Sequence, residues 1–336
     1  MMQELGLPGA RLTVSRAGLG LTLVLLAGSA NADGILTLKT DNDIFASGGD
    51  GHYTNGFEAD WTFEPAQDHW TRAVADLVPG WSRDSLTATS YRFGQQIYTP
   101  EDIDVSEPIE DDRPYAGVLY AGMTLFSDEQ LNDWRHTSGV YLDAGLIGPG
   151  AGGEFVQKNF HHLVDSEEPE GWHNQLHNEP FLNVAYRKAW WKKGRLDNLE
   201  AEYGPSAGFA AGNLYTYVAA GLGARLGQGL DNSFGIPAVA PSNGSRVFFD
   251  NHSGFNWYLF ANLEGRRMFQ NLLLDGNSFE DSQSVDRRHW VGDVQAGLAL
   301  SWNRWQITYS ALWRTHEFDG QETADRFGSL TLSTWL

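Results

Sequence analysis

The stretch YTNGFEADWTF, Tyr53 to Phe63, decides the fold. Tyr53, Phe57, Ala59, Trp61 and Phe63 share one parity, while Thr54, Glu58, Asp60 and Thr62 take the other. Period two belongs to a strand with one apolar and one polar face; a helix would not keep Glu58 and Asp60 away from Trp61 in this way. The rhythm recurs over 304–314, where Trp305, Ile307, Tyr309, Ala311 and Trp313 alternate with Gln306, Thr308, Ser310 and Arg314. It recurs again over 289–302, where Trp290, Val294, Ala296, Leu298, Leu300 and Trp302 alternate with Val291, Asp293, Gln295 and Ser301. Both segments carry an aromatic at each end of an apolar band, as a membrane-spanning strand does.

Twelve such segments are predicted: 35–45, 53–64, 88–99, 114–126, 135–147, 180–192, 197–210, 214–227, 254–268, 286–302, 304–317 and 325–336. An even number of antiparallel strands closes a barrel. The predicted fold is therefore all-β, a twelve-stranded antiparallel transmembrane β-barrel over 33–336 with a short helix in a surface loop. Thirteen Trp, twelve Tyr, eighteen Phe and thirty-eight Gly suit the aromatic girdles of such a barrel, although a large soluble β-sandwich shares that bias. Residues 1–32 are set aside as a secretory signal peptide: Arg11 and Arg16 precede AGLGLTLVLLAG, and Ala30-Asn31-Ala32 supplies a cleavage site. If the first strand climbs from the periplasm, the connections 46–52, 100–113 and 148–179 open on the cell surface. The connection 228–253 falls on the periplasmic side and is long for it, so it either holds a helix or marks a miscounted strand.

The chain contains no Cys, which removes disulfides, a thiol nucleophile and thiolate metal sites. Its formal net charge is −20, and loss of Glu4, Arg11 and Arg16 with the signal peptide makes it −21. Such a chain does not suit nucleic acid, whose phosphates call for Lys and Arg. Divalent cations are the natural companions of its clustered carboxylates.

Polar residues concentrate in three places. The first is LKTDNDIFASGGDGHYTNGF, Leu38 to Phe57. It misses the EF-hand template, because Phe45, Ala46 and His52 stand at its fifth, sixth and twelfth positions. Gly48, Gly49 and Gly51 read as a hairpin, His52 as a loop residue without a role, and Asn42, Asp43 and Thr54 as strand-end polar groups less well explained by a turn. Alternation puts Asn42 with Leu36 and Leu38, opposite Asp43, so the two meet only where the pleat breaks. The second is GPGAGGEFVQKNFHHLVDSEEPEGWHNQLHN, where Phe155, Phe160, Leu163 and Val164 predict an amphipathic helix with Gln157 and His161 four apart on one face. His173 and His177 are also four apart but lack an H-E-x-x-H frame. The third is the acidic run Glu101 to Asp112, by default a solvated loop, followed by Arg113 at the entry to a strand.

Read in order, NDIF, HYTNGF, QIYTP, DDRPYAGVLYAG, LIGPGAGGEFVQKNFHHLV and GWHNQL make the chain resemble the lipid A 3′-O-deacylase family of outer-membrane barrels. The resemblance implies a calcium-dependent esterase in the outer membrane of a Gram-negative bacterium. Its site would face the cell surface, remove the 3′ ester-linked acyl group of lipid A in lipopolysaccharide, and work in a membrane-embedded monomer. By position it implies that His161 is the catalytic histidine, that Asn42, Asp43 and Thr54 complete the catalytic set, that Gln157 contacts substrate, and that Asp43 and Glu167 hold Ca²⁺. The residue chemistry is consistent with that assignment. Ester hydrolysis without a Ser or Cys nucleophile needs a base for water and a positive group or donors for the oxyanion. A histidine, with an ordinary pKa near ~6.5, suits the first task. Ca²⁺ on a carboxylate, with Asn42 or Thr54 beside it, suits the second. Where a member of the family carries a Lys shortly after its IYxP stretch, this chain has Glu101, Asp102, Asp104 and Val105, so phosphate or sugar recognition passes to Arg113 or to bound cations. The alternatives are a phospholipase A-like barrel, which calls for a Ser paired with a His, and a non-enzymatic pore or adhesin, which calls for an unplugged lumen.

Overall fold

The structure, a computed structural model, describes residues 33–46, 52–164, 166–237 and 248–336. The signal-peptide reading of 1–32 and the hairpin glycines 48, 49 and 51 lie outside them. The described residues form twelve strands. The first six are β1 (Gly34–Asn42), β2 (His52–Phe63), β3 (Ala88–Thr99), β4 (Ala116–Gln130), β5 (Trp134–Ile147) and β6 (Glu179–Leu196). The rest are β7 (Leu199–Gly212), β8 (Tyr215–Gly227), β9 (His252–Asn271), β10 (Trp290–Asn303), β11 (Trp305–Arg314) and β12 (Asp325–Trp335). Each pairs antiparallel with its chain neighbours, and β1 pairs with β12 from Ile35 opposite Trp335 to Asn42 opposite Gly328, which closes the barrel.

The alternation read from sequence is the alternation of the wall. On β9 to β11, Leu259, Leu263, Val294, Tyr309 and Trp313 face outward and exposed, while Glu264, Arg266, Asp293, Gln295 and Arg314 point in. Inside, several charges pair with one another, while Asp60 is buried with neither carboxylate oxygen hydrogen-bonded to a protein group among the described residues. Arg314 grips Asp293 through two 2.9 Å hydrogen bonds, and Arg266 Nη2 adds a third at 2.7 Å. Across the lumen Lys39 lies 3.3 Å from Asp41, and Arg92 Nη2 donates to Asp143 at 2.5 Å. Such pairing offsets the cost of taking each charge out of water. Tyr53, Tyr98, Tyr120, Tyr141 and Tyr217 are packed among these groups inside the barrel.

The strand count at 228–253 was right, and no α-helix forms in its described part. A 3₁₀ turn, Leu230–Asn232, sends Phe234 and Ile236 into the lower mouth of the barrel, the end that holds Gly34 and Trp335. Arg225 reaches them by donating to Ser233 Oγ at 2.9 Å and Gly235 O at 3.0 Å, and Gln295 donates to Pro237 O at 2.9 Å. At the same end, the connection after β2 carries a short helix, α1 (Trp70–Ala75), capped by His69.

One parity assignment is corrected. Tyr53 pairs with Tyr98 but Asn55 with Ile97, so Thr54 is an extra residue on β2, a β-bulge. Below it Phe57 points outward; above it Tyr53 turns into the lumen, where its hydroxyl donates to Asp41 at 2.9 Å. The predicted first strand, 35–45, ends at Asn42 because Asp43–Phe45 winds into a 3₁₀ turn.

Candidate active site

The residues singled out from sequence gather at the upper rim of β1 to β4, on the outer side of the wall. Asp41, Tyr98 and Tyr120 point into the lumen, so the alternate residues Asn42, Gln95, Ile97, Thr99 and Gly117 face outward. Asn42 Nδ2 donates to Thr54 O at 3.0 Å, which turns its amide oxygen the other way. Thr54 Oγ1 meets Thr99 Oγ1 at 2.8 Å and joins β2 to β3. Asp43 heads the 3₁₀ turn and is buried, so the strand pleat ends between Asn42 and Asp43.

Over this outer wall lies α2 (Gly153–Val164). Two glycines with positive φ, Gly148 at 99° and Gly152 at 72°, fold the chain back from β5 through the turn Pro149–Ala151. Gln95 Nε2 donates to Ala151 O at 2.6 Å and pins the turn to β3. The helix starts hard against β4: a Cβ on Gly153 would stand 2.7 Å from Trp172 Cη2 and 2.9 Å from Gly117 Cα. The 3₁₀ turn Gly171–Asn174 that carries Trp172 is anchored in turn, with Gln175 Nε2 donating to Trp172 O at 3.0 Å and Leu176 N to Tyr115 O at 2.9 Å.

Gln157 and His161 occupy the wall side of α2, each 3% exposed. His161 Nδ1 lies 2.5 Å from Glu167 O. A carbonyl only accepts, so in the neutral ring the proton sits on Nδ1 and the lone pair on Nε2. Trp172 Nε1 donates to Gln157 Oε1 at 2.7 Å. An indole only donates, so the amide is fixed with Oε1 toward Trp172, and buried Nε2 finds no protein acceptor among the described residues. One turn of helix therefore presents an N–H donor and a base on the same face.

A family profile described as Outer membrane protein LpxR matches residues 15–336. The chain belongs to the LpxR family. Among solved structures, this LpxR-family barrel is similar to LpxR from Salmonella typhimurium, with a TM-score of 0.73 and 21% identity over 90% of this chain and 100% of that one. The beta domain of the Bordetella autotransporter BrkA gives a TM-score of 0.45 and 9% identity over 91% of this chain and 100% of its own. No curated protein matches the chain. Membership places the LpxR-family chain in the outer membrane and agrees with the motifs that carried the resemblance.

Other expected positions of this LpxR-family barrel sit differently. Arg113, expected at the substrate, is 1% exposed, with its guanidinium 4.6 Å above the Tyr98 ring inside the rim. Glu167 supports His161 through its backbone, while its side chain lines a cavity of about 740 Å³ with Glu101, Asp102, Asp104, Asp112 and Glu322. Among the described residues no three His, Asp or Glu side chains gather as a metal-holding group. Asp43 is buried at the head of the 3₁₀ turn next to Asn42, and its carboxylate is a hard oxygen donor of the kind Ca²⁺ accepts, so a fit rests on Asp43.

His52, read as a loop residue without a role, is the first residue of β2 and buried. Its Nδ1 lies 2.5 Å from Asp325 Oδ1, its Nε2 3.4 Å from Asp112 Oδ1, and its ring meets Phe318 edge-on at 5.4 Å. It thus ties β2 to β12 and to the acidic loop 100–115. Burial works to raise the Asp112 carboxyl, but the His52 hydrogen bond and the Glu101 and Arg113 N–H groups outweigh it and hold its pKa below the ordinary value. The acidic run is thus solvated only in part. Trp172 and Thr99 also went unread, and a Trp in an otherwise polar loop was the available signal for the first.

Proposed function

We propose that this barrel is an outer-membrane esterase that hydrolyses the 3′-position ester-linked acyl chain of lipid A, from the cell-surface side. The observation that carries the reading is the Nδ1 hydrogen bond of His161 to Glu167 O, on a helix laid against the outer wall. A lipid in the outer leaflet meets such a site sideways, without entering the lumen.

His161 Nε2 takes a proton from water as it attacks the ester carbonyl, and the imidazolium that forms is held by the Glu167 carbonyl at Nδ1. Negative charge then grows on the carbonyl oxygen. Gln157 Nε2 is the buried donor one turn away, and Thr54 sits at the rim end of β2, hydroxyl to hydroxyl with Thr99 of β3. Asn42 fixes the Thr54 backbone through its Nδ2. The proton returns from Nε2 to the departing sugar oxygen. Ca²⁺ held at Asp43 would supply Lewis-acid polarisation of the carbonyl. Glu167 enters this reading through its carbonyl, and Arg113 as a buried cation beneath the rim.

The test is to express the chain in an outer membrane with hexa-acylated lipid A and take mass spectra of the extracted lipid. Loss of the 3′ acyl unit, abolished by His161→Ala and reduced by Asp43→Ala or chelation, is the expected result. Unchanged lipid A, or full activity in His161→Ala, would sink the proposal.

A further inference from the structure

The amphipathic helix α2 is turned the opposite way from a helix that covers a soluble core. At ~100° per residue, Phe155, Val156, Phe160 and Leu163 share one arc, and Gln157 and His161 the next. The polar arc is the buried one. Phe155 is 70%, Val156 36%, Phe160 43% and Leu163 82% exposed. On the third flank Lys158 Nζ pairs with Glu154 Oε1 at 2.9 Å. Asn159, which falls within the apolar arc, has its Nδ2 donating to Phe155 O at 2.6 Å, so less of its polarity is presented outward.

The lipid-facing wall continues from this face. Phe93 is 47% exposed on the outer side of β3, a strand against which α2 packs, and Phe57 is 48% exposed on the neighbouring β2. An apolar arc continuous with that wall has hydrocarbon as its matching neighbour, since no protein group among the described residues covers it.

We infer that α2 is an interfacial helix, its Phe155–Val156–Phe160–Leu163 face sunk among the acyl chains of the outer leaflet and its Lys158–Glu154 flank at the headgroups. The helix then holds Gln157 and His161 at the depth where an acyl chain meets its ester, and the cleft between helix and wall is filled from the bilayer. The placement stands by itself; its role in selecting bilayer-held substrate rests on the esterase reading above.

The chain has no Cys, so a single introduced Cys can carry a nitroxide. Phe155→Cys and Leu163→Cys labels on the full-length barrel in phospholipid vesicles should collide preferentially with oxygen, and an Asp319→Cys label in an exposed loop with a water-soluble nickel complex. Nickel accessibility at 155 and 163 equal to that at 319 would overturn the placement, as would dipolar broadening showing that a second copy covers the face. In a second arm, Phe155→Asp/Leu163→Asp should lower turnover of vesicle-held lipid A by roughly tenfold or more while detergent-dispersed lipid A changes less than about twofold. Equal loss on both substrates overturns the selection role. An inactive wild type with lipid-exposed labels would remove the esterase reading and leave the placement intact.

Discussion

Gly153→Ala probes whether the seating of α2 sets the chemistry. Gly153 is helical and absent from the positive-φ residues, so Ala is permitted by the backbone and by itself favours the helix by about 1 kcal/mol. The added methyl, however, would lie 2.7 Å from the Trp172 ring and 2.9 Å from Gly117 Cα. Carbon pairs rest at ~3.5–4.0 Å, so the helix start must lift by roughly 0.7–1 Å. Neither neighbour is a flexible tip: Trp172 is fully buried and Gly117 is strand backbone. A displacement of about 1 Å at His161 costs on the order of 100-fold in turnover. The expected variant folds as a barrel, shown by its heat-modifiable gel mobility, yet deacylates lipid A about 100-fold more slowly by mass spectrometry. A folded Gly153→Ala barrel with wild-type turnover would refute the link between seating and catalysis.

Three further outcomes are expected. Trp172→Phe keeps the ring but frees the Gln157 amide, worth about 1 kcal/mol of orientation and roughly fivefold in kcat; on a Gln157→Met background it should add nothing, and an equal loss in both backgrounds would mean that Trp172 acts only by packing. Glu202→Ala leaves Arg135 and Arg225 buried without their shared carboxylate and should lower stability to denaturant by about 3–5 kcal/mol, measured by urea unfolding in lipid. Because the folded pKa of Asp112 is depressed, its tie to His52 is present above the ordinary carboxyl value of ~3.9 and is lost as pH falls through the folded value. Hydrogen exchange in loop 100–115, after correction for intrinsic rates, should thus be flat between about pH 5 and the ordinary histidine value of ~6.5, rise in acid, and rise again at alkaline pH as His52 loses one of the two ring protons that face Asp325 and Asp112; Asp112→Asn should show the faster exchange already at neutral pH.

The barrel was legible because its physics is local. Hydrocarbon on one side and a packed polar lumen on the other impose period two on each strand, and the segments around Trp61, Trp305 and Leu298 show it directly. What failed to show depends on partners remote in sequence. Tyr53 kept the right spacing for the outer face, and only the register against β3 reveals that Thr54 is inserted. His52 gained its role from Asp325 and Asp112, one of them on the last strand. The periodicity of α2 was readable, but not which arc faces protein; that depends on the helix lying on a wall whose far side is lipid. Segment 228–253 concealed its inward turn because Phe234 and Ile236 are ordinary apolar residues until Arg225 and Gln295 are seen to hold their backbone.

The bulge at Thr54 makes this part of the chain sensitive to length as well as to composition. Removing that one residue would restore regular pairing with β3 and leave Tyr53 opposite Tyr98 and facing the lumen, but it would take away the carbonyl that Asn42 grips and the hydroxyl that meets Thr99. Drawing Thr54 into a regular ladder at the present length would instead turn Tyr53 and His52 through the wall and out of their buried partnerships. Among chains of this family, a single-residue gap aligned at this strand end would therefore mark loss of the Asn42 and Thr99 ties with the inward residues kept in place, whereas an added residue would turn those residues outward.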